Sequence, residues 1–283
     1  MPDAQGGPSN IRLNLKHRRD DRVYPTRDTM DWDRCPVYRR LNKDGWVPRG
    51  QPWTPNLLLG IAIGDGLSHH YKAGIEAELV TETRIREGYV ENPEWTIAGL
   101  VKLGLRGLRA AIDADVTRGG IVLRVDESVG VGRPDLVFRT QGAGLLAVSD
   151  TKVSLFVDSR YRASRLAEYE TDHQMWHYIW EVGEHYGEMV SLCRVLQVIL
   201  TPKTVATCYD IENITSERIQ FWLRGAERLW DGMAREDPPL ECAPSPRFSS
   251  CNGKYGQCIY MDWCHLFGGN AEKAEAYYER RER

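Results

Sequence analysis

Two short apolar runs, Leu136-Val137-Phe138 and Leu145-Leu146-Ala147-Val148, stand on either side of the turn cluster Gln141-Gly142-Ala143-Gly144. Strand-forming residues interrupted by glycines specify a β-hairpin. The hairpin constrains more than local shape, because side chains alternate between the two faces of a strand. Asp135 near the start of one strand and Asp150 near the end of the other then face each other across the pair, within reach of one ion. Lys152, two residues beyond Asp150, lies on the same strand face. Carboxylates are hard ligands suited to Mg2+ or Mn2+, and Mg2+ takes only one or two of them beside water and substrate phosphate. Such an ion polarises a phosphoryl oxygen and supplies hydroxide, while an ammonium at position 152 orients that water or offsets transition-state charge. Taken alone, an Asp-x-Lys tripeptide is also what surface charge on an exposed hairpin looks like.

The segment after the hairpin narrows the choice. Residues 159–187 read as one long helix, with Leu166, Tyr169, Trp176, Ile179 and Trp180 spaced for partial burial. Gln174 and Tyr178 are four apart and share one face of it. The alternative is an amphipathic helix with core aromatics and an exposed glutamine. Gly132-Arg133-Pro134-Asp135, an apolar strand, a turn, a second strand, Asp150-Thr151-Lys152 and then Gln174-x-x-x-Tyr178 follow one another in the chain. That order resembles the PD-(D/E)XK nuclease core, in the RecB-like branch that includes the AddB nuclease domains and the CRISPR-adaptation nucleases. The resemblance implies that Asp135, Asp150 and the main-chain carbonyl of Thr151 bind the metal. It implies that Lys152 assists the attacking water and that Gln174 and Tyr178 position substrate or Lys152.

The same resemblance implies a metal-binding histidine upstream, on a helix opening with Gly-x-x-x-His. In the register Leu59-Gly60-Ile61-Ala62-Ile63-Gly64, Gly64 stands in the histidine's place; in a register shifted to Gly66-Leu67-Ser68-His69-His70, His70 is the ligand. Either histidine is equally a polar helix residue with no task. Glu76 and Glu78 are candidate substitutes, or a solvated acidic helix face. Two carboxylates and a main-chain carbonyl still suffice for Mg2+.

Seven cysteines give a second line of reasoning. The N-terminus carries no signal peptide and the chain no long apolar segment, so a cytoplasmic location with reduced thiols is expected. Cys251-x6-Cys258-x5-Cys264 lies in a Gly-, Ser- and Pro-rich stretch of the kind that wraps a metal centre, free thiols being the alternative. Cys193 and Cys208 sit in strand-like apolar runs and read as core. Cys35, in Asp31-Trp32-Asp33-Arg34-Cys35-Pro36-Val37-Tyr38, together with the three C-terminal cysteines looks like the iron-sulfur arrangement of the same branch. The resemblance thus implies a [4Fe-4S] cluster on Cys35, Cys251, Cys258 and Cys264 that staples the two ends of the chain. The gap between Cys251 and Cys258 exceeds the two-residue spacing common in that branch, so zinc on four thiolates is the alternative, with Cys242 or His265 as replacement ligands.

Composition bounds the rest. At 283 residues, with 42% hydrophobic residues and nine Trp, the chain is long and apolar enough to fold around a sizeable core. Its net charge of −3 excludes coating nucleic acid by bulk electrostatics and demands a local basic strip. Candidates are Arg34, Arg39, Arg40 and Lys43, and Arg160, Arg162 and Arg165, although Arg160 and Arg162 point different ways on a helix and Glu168 and Glu170 offer them acid partners. Helices are expected over 53–80, 96–116 and 216–233, strands over 121–125, 190–200 and 205–211, and a charged terminal helix over 271–283. This order predicts an α/β fold with a central mixed β-sheet flanked by helices. The resemblance makes it a restriction-endonuclease-like core with a cysteine-rich metal-cluster segment joining the N- and C-terminal parts. Residues 1–25 read as a loose arm, 26–240 as the nuclease core with its N-terminal helical part, and 241–283 as the cysteine-rich segment and terminal helix, with Pro238, Pro239, Pro244 and Pro246 marking the linker.

The function implied is a metal-dependent DNA nuclease, an exonuclease acting on single-stranded ends, similar to CRISPR-adaptation and phage exonucleases. Its expected partners are DNA and proteins of recombination, replication or CRISPR adaptation, with no membrane. Two alternatives stand beside it: a nucleic-acid-binding or assembly protein of the same fold that has lost cleavage, which Gly64 favours and intact Asp135, Asp150 and Lys152 oppose, and a zinc-stabilised nuclease.

Overall fold

The computed structural model describes residues 41, 46–48, 54–73, 76–91, 94–155, 168–200, 203–211 and 213–235, and towards the C-terminus 252–253, 256–258, 260, 264 and 274–280. A short strand β1 (Trp46–Pro48) precedes three helices, α1 (Pro55–Ala73), α2 (Ala77–Gly88) and α3 (Ile97–Ala114). The strands β2 (Ile121–Val125), β3 (Leu136–Arg139) and β4 (Leu146–Leu155) follow, then α4 (His173–Tyr186), β5 (Leu192–Leu200), β6 (Val205–Ile211) and α5 (Ser216–Arg235). Three small strands close the described chain: β7 (Asn252–Gly253), β8 (Gly256–Gln257) and β9 (Tyr278–Arg280).

β2 to β6 form one five-stranded sheet in sequence order. All its pairs are antiparallel except β4 with β5, which are parallel and joined by the crossover that contains α4. The sheet is therefore mixed, and β5, paired on both sides with β4 and β6, is buried from Cys193 to Leu200, the near-continuous apolar run expected of a strand covered on both faces. One face packs Leu136, Phe138, Ala147, Leu196 and Val198 against Leu59 and Ile63 of α1 and Leu100 and Leu108 of α3. The other packs Val137, Val148, Cys193, Val195 and Ile211 against Met175, Ile179 and Val182 of α4 and Ile219 of α5. Each fully buried large apolar side chain contributes roughly 1.5–3 kcal/mol, so these two layers fix the sheet between the helices.

Local signals explain the ends of the elements. Thr96 caps α3 by accepting the Gly99 N–H at 3.1 Å, and Asp115, in the left-handed region at φ 36°, ends it. The Asp115 carboxylate then accepts from the backbone of Thr117 and Gly119 and from the Thr117 hydroxyl, turning the chain into β2. Gly107 sets how closely α3 lies on the sheet, since a Cβ there would stand 2.6 Å from Leu200 and 2.7 Å from Ile63.

Three expectations differ from what is observed. The single helix over 53–80 is two helices, α1 and α2, held together where the Thr81 hydroxyl donates to the Ala62 carbonyl at 3.2 Å and to its own helix at Ala77. Of the helix over 159–187, residues 159–167 lie outside the described residues, and α4 starts only at His173. Asp172 there leaves the helical region at ψ 124° and caps the Gln174 N–H at 2.7 Å. Within the expected terminal helix, Tyr278–Arg280 is a strand paired antiparallel with β1. Tyr278 is buried and stacked on Tyr260, whose hydroxyl donates to the Trp46 carbonyl at 2.7 Å, so tertiary pairing overrides the helical bias of a charged tail. Among the described residues no helix is long and apolar enough to cross a membrane.

Candidate active site

The β3–β4 register pairs Leu136 with Ser149, and one step further along it Asp135 stands opposite Asp150. β4 is buried from Leu146 to Asp150 and half-buried from Thr151 onwards, so the acidic pair sits where the strand leaves the core. Asp135 Oδ2 accepts the Thr151 N–H at 2.6 Å. The Lys152 ammonium lies 2.6 Å from Asp150 Oδ2 and donates to Gln174 Oε1 at 2.7 Å. The Gln174 amide nitrogen in turn donates to Asp150 Oδ1 at 3.3 Å and to the Tyr178 hydroxyl at 2.7 Å. Five side chains that the sequence singled out are therefore brought together by two elements: the hairpin supplies Asp135, Asp150 and Lys152, and one face of α4 supplies Gln174 and Tyr178.

The electrostatics follow from burial. Asp135 is pushed up to about 7, first by loss of water and then by the charge of Asp150, with the Thr151 N–H and Lys152 pulling the other way. For Lys152 burial works to lower the pKa, but the adjacent Asp150 outweighs it and the net direction is upward, so the ammonium stays charged. Tyr178 is raised by burial and then by Asp150, and its hydroxyl stays neutral.

Asp135 and Thr151 open onto a cleft of about 440 Å3 whose opposite wall is α1, with Gly60 and Gly64 turned towards it and Asp126 and Arg133 at its side. Arg133 is held there by Asp126, whose carboxylate it reaches at 2.7 Å and whose carbonyl it reaches at 3.3 Å. Sequence reasoning did not single out Arg133. Its place between Gly132 and Asp135 was the signal that could have found it.

Two carboxylates that repel each other in a buried position suit a hard divalent cation that needs no more than two acidic ligands. Among the described residues no three His, Cys, Asp or Glu side chains form a metal-binding group. His70 is not brought to this cleft: its ring packs on Tyr71 at 5.1 Å between centroids, whereas Gly64 lines the cleft and a Cβ there would touch nothing within 4 Å. Glu78 is engaged with Arg109 at 2.7 Å.

Cys258 and Cys264 are half-buried, and the Cys264 N–H donates to the Tyr260 carbonyl at 3.1 Å. Cys35, Cys251, Cys242 and His265 lie outside the described residues, as do the basic candidates at 34, 39, 40, 43, 160, 162 and 165. Cys193 is a buried thiol of β5 raised first by burial and then by Asp150, and Cys208 is a half-buried thiol of β6.

No protein-family model matches the chain, and no curated protein sequence does. Among solved structures, it is similar to the crystal structure of a Eubacterium rectale protein named "Putative exonuclease", with 12% identity, a TM-score of 0.45, and 89% of this chain and 91% of that one covered.

Proposed function

We propose that this protein is a metal-dependent nuclease that hydrolyses DNA phosphodiesters at Asp135, Asp150 and Lys152. The observation that carries the reading is the set of contacts that ties Asp150, Lys152, Gln174 and Tyr178 together, with Asp135 joined to it through the Thr151 N–H and opening onto a cleft. Asp135, Asp150 and the Thr151 carbonyl would hold Mg2+ or Mn2+, which when bound polarises the phosphoryl oxygen and acidifies water. Lys152, fixed in its charged form, offers its ammonium to the water or to the charge that grows on the phosphate. Gln174 has one orientation only, carbonyl towards the ammonium and amide towards Asp150 and Tyr178, and so prevents Lys152 from swinging away. Arg133 at the side of the cleft supplies a guanidinium for a flanking phosphate.

The finer parts of the proposal rest on the resemblance to RecB-like nucleases: a free single-stranded DNA end as substrate, and a structural [4Fe-4S] cluster on Cys35, Cys251, Cys258 and Cys264. The pairing of β1 with β9 and the Tyr260 to Trp46 bond favour the cluster, because they join the N- and C-terminal parts that it would staple. Anaerobically purified protein is expected to absorb broadly in the visible and to contain iron and sulfide in equal amounts; colourless protein with stoichiometric zinc would replace the cluster by a zinc site. Incubation with Mn2+ and labelled linear single strands, linear duplex and circular single strands tests the activity. Shortening of linear single strands with circles left intact is expected. The open position at Gly64 favours a second reading, a binding or assembly protein of this fold. Retention of the labelled strand with no cleavage under any divalent ion would select it.

A further inference from the structure

We propose that Glu181 is a positioning residue: backed by His177, it seats the turn at Gly130–Gly132 on α4 and thereby sets where Asp135 stands. Glu181 is buried and His177 is 0% exposed, an expensive placement for polar groups that have no part in the apolar layer. Glu181 Oε2 accepts the Gly132 N–H at 3.1 Å, and its other oxygen lies 3.4 Å from His177 Nε2. Gly132 also exchanges backbone hydrogen bonds with Val129, which closes the turn. The fit is close on both sides. Gly130 adopts φ +62° and a Cβ there would run into the Glu181 carboxylate, and a Cβ on Gly132 would stand 3.2 Å from the Tyr178 ring. His177 is itself fixed by the rings of Trp180, Trp222 and Trp230, each about 6 Å away between centroids.

From this seat only Arg133 and Pro134 intervene before Asp135, and proline fixes φ on the way. The far side is also tied, because the Asp126 N–H donates to the Asp135 carbonyl at 2.9 Å. α4 therefore addresses both halves of the acidic pair: Gln174 holds Asp150 and Lys152 directly, and Glu181, two turns on, holds the turn that delivers Asp135. Hydrogen-bond partners behind a ligating carboxylate commonly govern metal affinity by about 10–100-fold.

The inference rests on the proposed metal site for its effect on binding, but not for the clamp itself, and the test separates the two. Mn2+ affinity is measured by electron paramagnetic resonance, and amide exchange is followed at Gly132, in wild type, E181Q and E181A. E181A is expected to bind Mn2+ about 10–100-fold more weakly and to exchange faster at Gly132, while E181Q, which keeps an acceptor oxygen, restores both. A merely structural role lowers the melting temperature without moving the Mn2+ affinity of the folded protein, so a folded E181A with wild-type affinity overturns the proposal whatever its exchange at Gly132. Should E181A fail to fold, G132A decides: its Cβ presses the turn off Tyr178 with Glu181 intact, and unchanged Mn2+ affinity there overturns the clamp. If wild type binds no Mn2+, the metal reading fails, and exchange at Gly132 alone upholds or overturns the clamp.

Discussion

Gln174 does at residue scale what no single catalytic group does, since one amide fixes an ammonium, a carboxylate and a phenol at once. Gln174→Ala is expected to lower Mn2+-dependent cleavage by about 10–100-fold, with the protein still folded, because it frees Lys152 without removing it. Steady-state rates on labelled single-stranded DNA check this, and a wild-type rate in Gln174→Ala would remove the amide from the account. The residues of this network were legible in the sequence because each lies at a strand or helix period from the next: 150 and 152 along a strand, 174 and 178 along a helix. Glu181 was not. Its partner Gly132 is 49 residues earlier, and no local period relates them. The histidine was the opposite case, since both registers were locally admissible and only the packing of α1 shows that Gly64 faces the cleft.

At the scale of elements, the strands at 121–125 and 205–211 were legible to their ends, because β-branched and apolar runs bounded by turn residues leave little choice. The start of α4 was not, because the helical period runs on through 159–172 and only the Asp172 cap shows where the helix begins. α4 also carries a half-buried histidine whose charged form the fold disfavours. His173 accepts the Trp222 indole N–H at 3.1 Å and is lowered to about 4 by burial first and the neighbouring His177 second. Its neutral form belongs to the fold, so the stability it contributes is complete above its ordinary value of 6.5 and is lost as pH falls towards about 4. Thermal melts of His173→Gln are expected to fall less steeply than wild type between these two pH values, and parallel melting curves would count against this placement. The seat of α3 gives a second element-scale prediction. Gly107→Val forces side chains against Leu200 and Ile63 and should cost about 1–3 kcal/mol in denaturant unfolding. A neutral effect would mean that α3 can lift from the sheet freely.

For the whole molecule, the α/β fold was legible as an order of elements: helices, strands, a crossover helix and strands again. The β1–β9 ladder was not, because neither three-residue strand carries a pattern of its own and each exists only through the other and the Tyr260 bond. The same long-range logic makes the site: a hairpin and a crossover helix, each unremarkable alone, meet where β4 leaves the core and bring two carboxylates and an ammonium together, with Asp135 opening onto a cleft. Removing Lys152 tests that claim most directly. Purified wild type and Lys152→Ala are incubated with end-labelled single-stranded DNA and Mn2+, and the rate of product formation is read on a denaturing gel. Cleavage by wild type and a loss of about 10^2–10^3-fold in Lys152→Ala are expected. Equal cleavage by both proteins, or none by wild type at any Mn2+ concentration, would contradict it.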